Sequence, residues 1–249
     1  MIDKHNYLNK NIKYVKTIIR EYDMKNAGLS IIKKMKLLDD ETIKYLESIN
    51  KQARNIYVGK LMQNDTDLSI NLLSGFKEAR QLFFTNNNIE DENILSIKKD
   101  AIFTLNKLAT NLKFDGYEFV MKNIYSSYIY LNKLEFYYNS KENKLDIKGI
   151  NKDIISTHQD YFLKDIKLIL KNMETPKNNL SFINNYRNKY LNKSLPIECY
   201  REFNKNNLYK LIYDIDNRTV NLESCESFES LDISYNYINY ILPIINVII

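Results

Sequence analysis

The sequence predicts an α+β fold, and three observations carry that prediction. Its elements run in blocks (strand, helices, hairpin, strands, helices) rather than alternating strand and helix. Residues 29–84 carry apolar side chains at helical spacing. Between Ile94 and Tyr138 the pattern changes to short runs dense in Ile, Leu, Phe, Tyr and Val, the mark of strands. With five Gly and three Pro in 249 residues, tight turns are few, which favours long helices and hairpins.

Taken in order, Lys16–Met24 reads as a strand ending at Asp23, followed by a turn around Asn26–Gly28. A first helix follows, with Leu29, Ile32, Met35 and Leu38 on one face. A second is capped at Asp39 or Asp40 and runs through Thr42, Leu46 and Ile49 towards Leu61. A third covers Asp67–Phe84. Ile94–Ile97 and Ala101–Leu105 then form a buried hairpin whose charged tip is Lys98, Lys99 and Asp100. Tyr117–Met121, Tyr125–Tyr138 and Leu145–Ile150 are the remaining strands, and Asp153–Met173 returns to helix until Pro176 breaks it. From about Asp153 onward a separable C-terminal lobe is expected.

Composition narrows the function classes. Hydrophobic content of 44% and charged content of 27% describe a globular chain with a sizeable core. A net charge of +5, scattered rather than massed in a tail, permits nucleic-acid binding without demanding it. Two widely spaced cysteines, Cys199 and Cys225, form no metal-ligand pair and indicate a reducing compartment. Two histidines, His5 and His158, leave little for a zinc site or a His-based triad. No signal-peptide pattern opens the chain, and the apolar run Tyr235–Ile249 is too short to span a bilayer, so a cytoplasmic protein without a membrane partner is expected.

Three motifs stand in an informative order. Asp23 ends an apolar strand in E-Y-D-M-K-N-A-G-L-S, K-Q-A-R-N-I-Y-V-G covers Lys51 to Gly59 on a helix, and K-K-D-A-I-F is the hairpin tip. Together they resemble motifs A, B and C of the family B DNA polymerases. Asp23 takes the motif A aspartate and Ser30 its last serine. Lys51, Asn55 and Gly59 keep the motif B spacing, and Asp100 falls on the second motif C aspartate. Downstream, K-N-I-Y (Lys122 to Tyr125) is similar to a primer–template-contacting segment, and L-D-I-K-G-I (Leu145 to Ile150) to the element leading into the thumb.

The resemblance implies a palm-like antiparallel sheet over residues 1–151 with short helical fingers at about 29–87. Residues 152–249 would be a helical, thumb-like region with a C-terminal extension. Asp23 and Asp100 would be metal ligands for Mg²⁺ and, with Lys51, the catalytic set. Two carboxylates projected from adjacent strands suit the two-metal chemistry of phosphoryl transfer. Arg54, Asn55 and Gly28 would meet the nucleotide, and Lys122, Tyr125 and Lys148 the backbone of a primer–template. A partner subunit and a phage origin, hence the host cytoplasm, fit a core this small.

The departures are specific. Lys98 replaces the first motif C aspartate, Gly28 the motif A tyrosine that screens the sugar, and Val58 the motif B tyrosine. Three function classes therefore stay open: a compact polymerase core, a non-catalytic nucleic-acid-binding or structural phage protein on a degenerate palm, and a protein-binding inhibitor.

Overall fold

The computed structural model describes residues 2, 4–131, 134–148, 166–171, parts of 181–194, and 211–212 and 219–220. Strands and helices occupy separate blocks of the chain and the strand pairs are antiparallel, so the α+β class holds. The chain forms two compact units, Met1–Lys10 with Ile18–Ile124, and Asn11–Thr17 with Tyr125–Ile249. The boundary expected at 151/152 lies outside the described residues, as do Cys199, Cys225, His158 and most of the expected C-terminal lobe.

The first unit contains β1 (Asn6–Leu8), β3 (Ile94–Lys98), β4 (Ala101–Leu105), β2 (Tyr14–Met24, from Ile18 on) and β6 (Tyr117–Leu131, as far as Ile124), in that spatial order, with β5 (Lys113–Phe114) paired to β6. Four helices pack against this sheet: α1 (Ala27–Met35), α2 (Asp40–Ser48), α3 (Lys51–Asn64) and α4 (Thr66–Asn86). Their shared core joins Tyr22, Met24, Ile97, Ile102 and Phe119 from strands to Leu29, Ile32, Leu46, Val58, Leu72 and Phe83 from helices. Phe83 is its centre, with ring centroids 5.2 Å from Tyr22, 6.0 Å from Phe84 and 4.6 Å from Phe119.

Two expectations need correction. The helix read from Asp39 to Leu61 is two helices, broken at Ile49–Asn50. Asn50 Oδ1 accepts the Ala53 N–H at 2.9 Å and starts α3, as Asp39 Oδ1 accepts the Thr42 N–H at 2.8 Å and starts α2. An Asn at the joint captures a backbone donor instead of continuing the helix. Conversely, the two strands read at 117–121 and 125–138 are divided differently, because β6 runs unbroken through Lys122 and Asn123 and β7 begins at Leu134. Those polar side chains do not end the strand because Asp23 and Glu21 receive them, at 3.4 Å and 2.6 Å.

The segment 106–112 has no regular structure yet is fixed within the same unit. Buried Asn87 accepts the N–H groups of Thr110 and Asn111 through Oδ1, and donates through Nδ2 to the carbonyls of Phe83 and Asn111. Tyr22 Oη accepts the Ala109 N–H at 2.8 Å.

In the second unit β6 (from Tyr125) pairs with β7 (Leu134–Asn139), and β7 with β8 (Lys144–Lys148), all antiparallel. Tyr137 packs at a tilt between Tyr128 and Tyr125, with ring centroids 4.9 Å and 5.1 Å away. The Tyr125 hydroxyl meets Asp146 at 2.9 Å and that of Tyr137 meets Glu135 at 2.7 Å, so buried carboxylates and phenols satisfy one another. The residues 166–171 are helical, and Ser127 donates to the Leu170 carbonyl at 3.1 Å. β9 (Leu211–Ile212) and β10 (Thr219–Val220) form a separate antiparallel pair.

Candidate functional site

The first unit holds a cavity of about 520 Å³ between its helices and the hairpin tip. Its floor is apolar (Met24, Val58, Met62, Leu72, Phe76), and its polar wall carries Lys51, Arg54, Asn55, Lys99 and Asp100. Gly28 lines it from the first turn of α1, where an added Cβ would meet only Val58 at 4.0 Å. Gly28, Lys51, Arg54, Asn55, Gly59 and Asp100, all singled out in the sequence, thus border one space. Lys99, from the hairpin-tip motif, also lines it, as do His5 and Asn6, which carried no motif and arrive through tertiary structure.

The tip is held from two sides. Lys99 sits at φ 54°, in the left-handed region, while its N–H donates to the His5 carbonyl at 2.9 Å. Its own carbonyl accepts from Arg80 Nη1 at 2.7 Å. Arg80 comes from α4 and is buried, so the tip is anchored to the core rather than waving in solvent. Asp23 stands opposite Ala101 in the β2–β4 register, and the Met24 N–H donates to the Asp100 carbonyl at 3.2 Å. Asp23, near the end of β2, and Asp100, in the turn just before β4, are therefore neighbours.

Burial pushes the Asp100 carboxyl above the usual carboxylate range, helped by the negative charge of Asp23 and opposed by its own N–H and by Lys51 and Lys122. Lys122 Nζ lies 3.4 Å from Asp23 Oδ2. Burial works to lower the Lys122 pKa, yet the charges of Asp23, Glu21 and Asp100 hold it above its ordinary value. Lys122 is thus the internal counter-ion of this acidic neighbourhood, a role its sequence position did not advertise.

As for Mg²⁺, the donor set consists of two carboxylates, and one is already paired with Lys122. Mg²⁺ bound here would have to displace Lys122 and take its remaining ligands from water or substrate phosphates. Among the described residues, no group of three or more His, Cys, Asp or Glu side chains could hold a metal.

The remaining site residues divide clearly. Arg54 spends all three donor nitrogens on the protein: Nε on the Leu46 carbonyl at 2.8 Å, Nη2 on the Ile49 carbonyl at 3.1 Å, and Nη1 on Asn26 Oδ1 at 3.0 Å. It ties α3 to the end of α2 and the start of α1. Lys51, by contrast, is exposed at the first turn of α3 and makes no ion pair among the described residues. Tyr125 and Lys148 belong to the second unit. Tyr125 is a core side chain, 1% exposed, which leaves its ring no face for a nucleic-acid backbone. Lys148 is half-buried, opposite Glu135 in the β7–β8 register.

Fold and site together describe an α+β protein whose cavity, apolar at its floor and cation-bearing at its wall, lies beside an anchored hairpin tip. The model for the family described as bacteriophage PBS1 gene 130 protein matches residues 1–249, and the chain belongs to that family. No curated protein matches it. Among the described residues no helix is long and apolar enough to cross a membrane.

Proposed function

We propose that the chain is a non-catalytic nucleic-acid-binding protein of a bacteriophage, built on a palm-like scaffold with α1–α4 in the place of fingers. The observation that carries this reading is the balance of charge. At the cavity wall Lys51, Arg54 and Lys99 face the single carboxylate Asp100, and Asp23 is neutralised by Lys122. Such a wall suits a polyanion, whose phosphates would displace counter-ions on binding. Lys98, standing where an acid would complete a metal site, points the same way.

The test is fluorescence anisotropy of labelled single-stranded and duplex oligonucleotides, titrated with the full chain at several salt concentrations. Binding should weaken steeply with salt, and Lys51→Ala and Lys99→Ala should each reduce the salt slope by about one. Absence of salt-dependent binding to any oligonucleotide would overturn the proposal and favour a protein partner.

A second reading, nucleotidyl transfer, has one specific observation behind it: the end of β2 at Asp23 and the hairpin tip at Asp100 are joined, the Met24 N–H donating to the Asp100 carbonyl at 3.2 Å. Primer extension with Mg²⁺ or Mn²⁺ tests it. Incorporation abolished by both Asp23→Asn and Asp100→Asn would establish it. In that case Gly28, in place of a bulky sugar-screening residue, makes ribonucleotides nearly as acceptable as deoxyribonucleotides.

A further inference from the structure

Helix α3 combines two features that none of the other three helices has together. Of its fourteen residues, K-Q-A-R-N-I-Y-V-G-K-L-M-Q-N, only Val58 is buried, and none is acidic. The 3.6-residue period gathers its exposed positions on one continuous half of the helix. Gln52, Ile56 and Gln63 flank half-buried Gly59 on that half, with Asn55 beside them and Lys51 and Lys60 at its two margins; Lys51, Asn55 and Gly59 also border the cavity. A Cβ at Gly59 would meet nothing within 4 Å. The first turns carry a shallow depression lined by Lys51, Gln52, Asn55 and Ile56. Among the described residues the amides of Gln52, Asn55 and Gln63 hold no hydrogen bond.

We infer that α3 reads duplex DNA by lying in the major groove, an inference that rests on the nucleic-acid reading above and adds its form and the reading element. The groove is about 12 Å wide and admits one α-helix. Asn and Gln amides match the adenine N6/N7 edge in bidentate fashion, and an aliphatic tip such as Ile56 fits the thymine methyl. Lys51 and Lys60, on opposite margins, are placed for the phosphates of the two strands. Gly59 lets the groove floor approach the helix backbone. A protein partner would be better served by aromatic and Met side chains than by unpaired amides around a glycine.

The support behind α3 suits the task. It follows α2 after the two-residue joint Ile49–Asn50, so the exposed helix is the second of a close pair, as in DNA-reading helix pairs whose second helix enters the groove with its N-terminal residues on the bases. Arg54 and the edge contact of Tyr45 with Tyr57, centroids 5.5 Å apart, fix it to α2. Of the nearest acids, Asp100 shares the cavity wall with Lys51 and Asn55, where Lys51, Arg54 and Lys99 outnumber it. Glu47 is paired with Lys33, Asp39, Asp40 and Glu41 lie at the far end of α2, and Asp65 caps α4 beyond the C-terminus of α3. Contact is therefore centred on the first two turns.

The experiment is selection of bound duplexes from a randomised library by the full chain, followed by affinity and salt titrations of the selected duplex. A sequence motif containing A·T pairs should emerge. Asn55→Ala should lower discrimination at one base position by about tenfold or more. Lys60→Ala should keep the motif while reducing the salt slope by about one. Gly59→Leu, whose Cβ would meet nothing within 4 Å, should abolish duplex binding with its thermal melt unchanged or raised. Salt-dependent binding without a motif, or binding insensitive to both Gly59→Leu and Asn55→Ala, would overturn the inference while leaving the nucleic-acid reading intact. No binding to any nucleic acid would overturn both.

Discussion

Helices α3 and α4 are consecutive, each begins at a capping Asn or Asp side chain, and they serve opposite ends. Helix α4 buries Leu68, Leu72, Gly75, Ala79, Arg80, Phe83 and Phe84, whereas α3 buries Val58 alone. Their glycines make the contrast sharp. A Cβ at Gly75 would run into Ile31 Cγ2 and lie 3.0 Å from Met35 Sδ, while one at Gly59 would meet nothing within 4 Å. In α4 glycine is a packing residue that lets α1 come close. In α3 it leaves open space at the border of the cavity. Helix α3 is held by a narrow stripe, with Tyr57, Leu61 and Met62 half-buried around Val58, and by Arg54, which leaves its outer half free.

The contrast can be broken most strongly at Phe83. Phe83→Ala should lower unfolding stability by about 3–5 kcal/mol in denaturant titration, because it empties the centre of the aromatic cluster. Val58→Ala, the corresponding truncation in α3, should cost only about 1–2 kcal/mol. Equal losses would mean that α3 carries more of the core than its burial indicates. One substitution made in both helices should then give opposite signs. Gly75→Ala should destabilise by about 1–3 kcal/mol through overpacking. Gly59→Ala should stabilise by about 0.5–1 kcal/mol, since it only removes backbone entropy from the unfolded chain. Two losses would refute the open space at Gly59.

The third comparison concerns the hairpin tip, which both helices address: α4 through Arg80 on the Lys99 carbonyl, α3 through the charge of Lys51 on Asp100. Burial raises the Asp100 pKa in the folded state, so the fold favours the neutral acid. Its stabilising contribution is present below the ordinary carboxyl pKa and is lost as pH rises through the raised one. The melting temperature of the wild type, relative to Asp100→Asn, should therefore fall as pH rises through that window. A difference that stays flat with pH would remove the burial account. The smallest effect is expected at Ile56→Ala, within about 0.5 kcal/mol of wild type, as suits an exposed side chain.

Much of this was legible in the chain, and the failures have causes. The hairpin at Ile94–Leu105 announced itself because its runs are apolar and its tip charged, and the structure keeps both strands within a residue of the reading. The α2–α3 joint was missed because Leu46, Ile49 and Leu61 continue a helical stripe that Asn50 interrupts only by its side-chain bond. The unbroken β6 was missed because Lys122 and Asn123 look like strand-ending residues until Asp23 and Glu21, about a hundred positions away, receive them. The site was legible in part for the same reason. Spacing brought Lys51, Asn55 and Asp100 into view, but the commitment of Arg54 to backbone carbonyls and the burial of Tyr125 are tertiary facts.

Asn87 shows how little chemistry separates order from disorder in a segment without regular structure. Its amide holds four backbone bonds to Phe83, Thr110 and Asn111, two by accepting and two by donating. Deamidation would exchange one nitrogen for one oxygen and leave the shape of the side chain almost unchanged. The new carboxylate would still receive the N–H groups of Thr110 and Asn111, yet it would set a negative charge against the carbonyls of Phe83 and Asn111. The path of residues 106–112 thus hangs on the identity of a single atom, and slow chemical ageing of the protein would register there as a loosened loop.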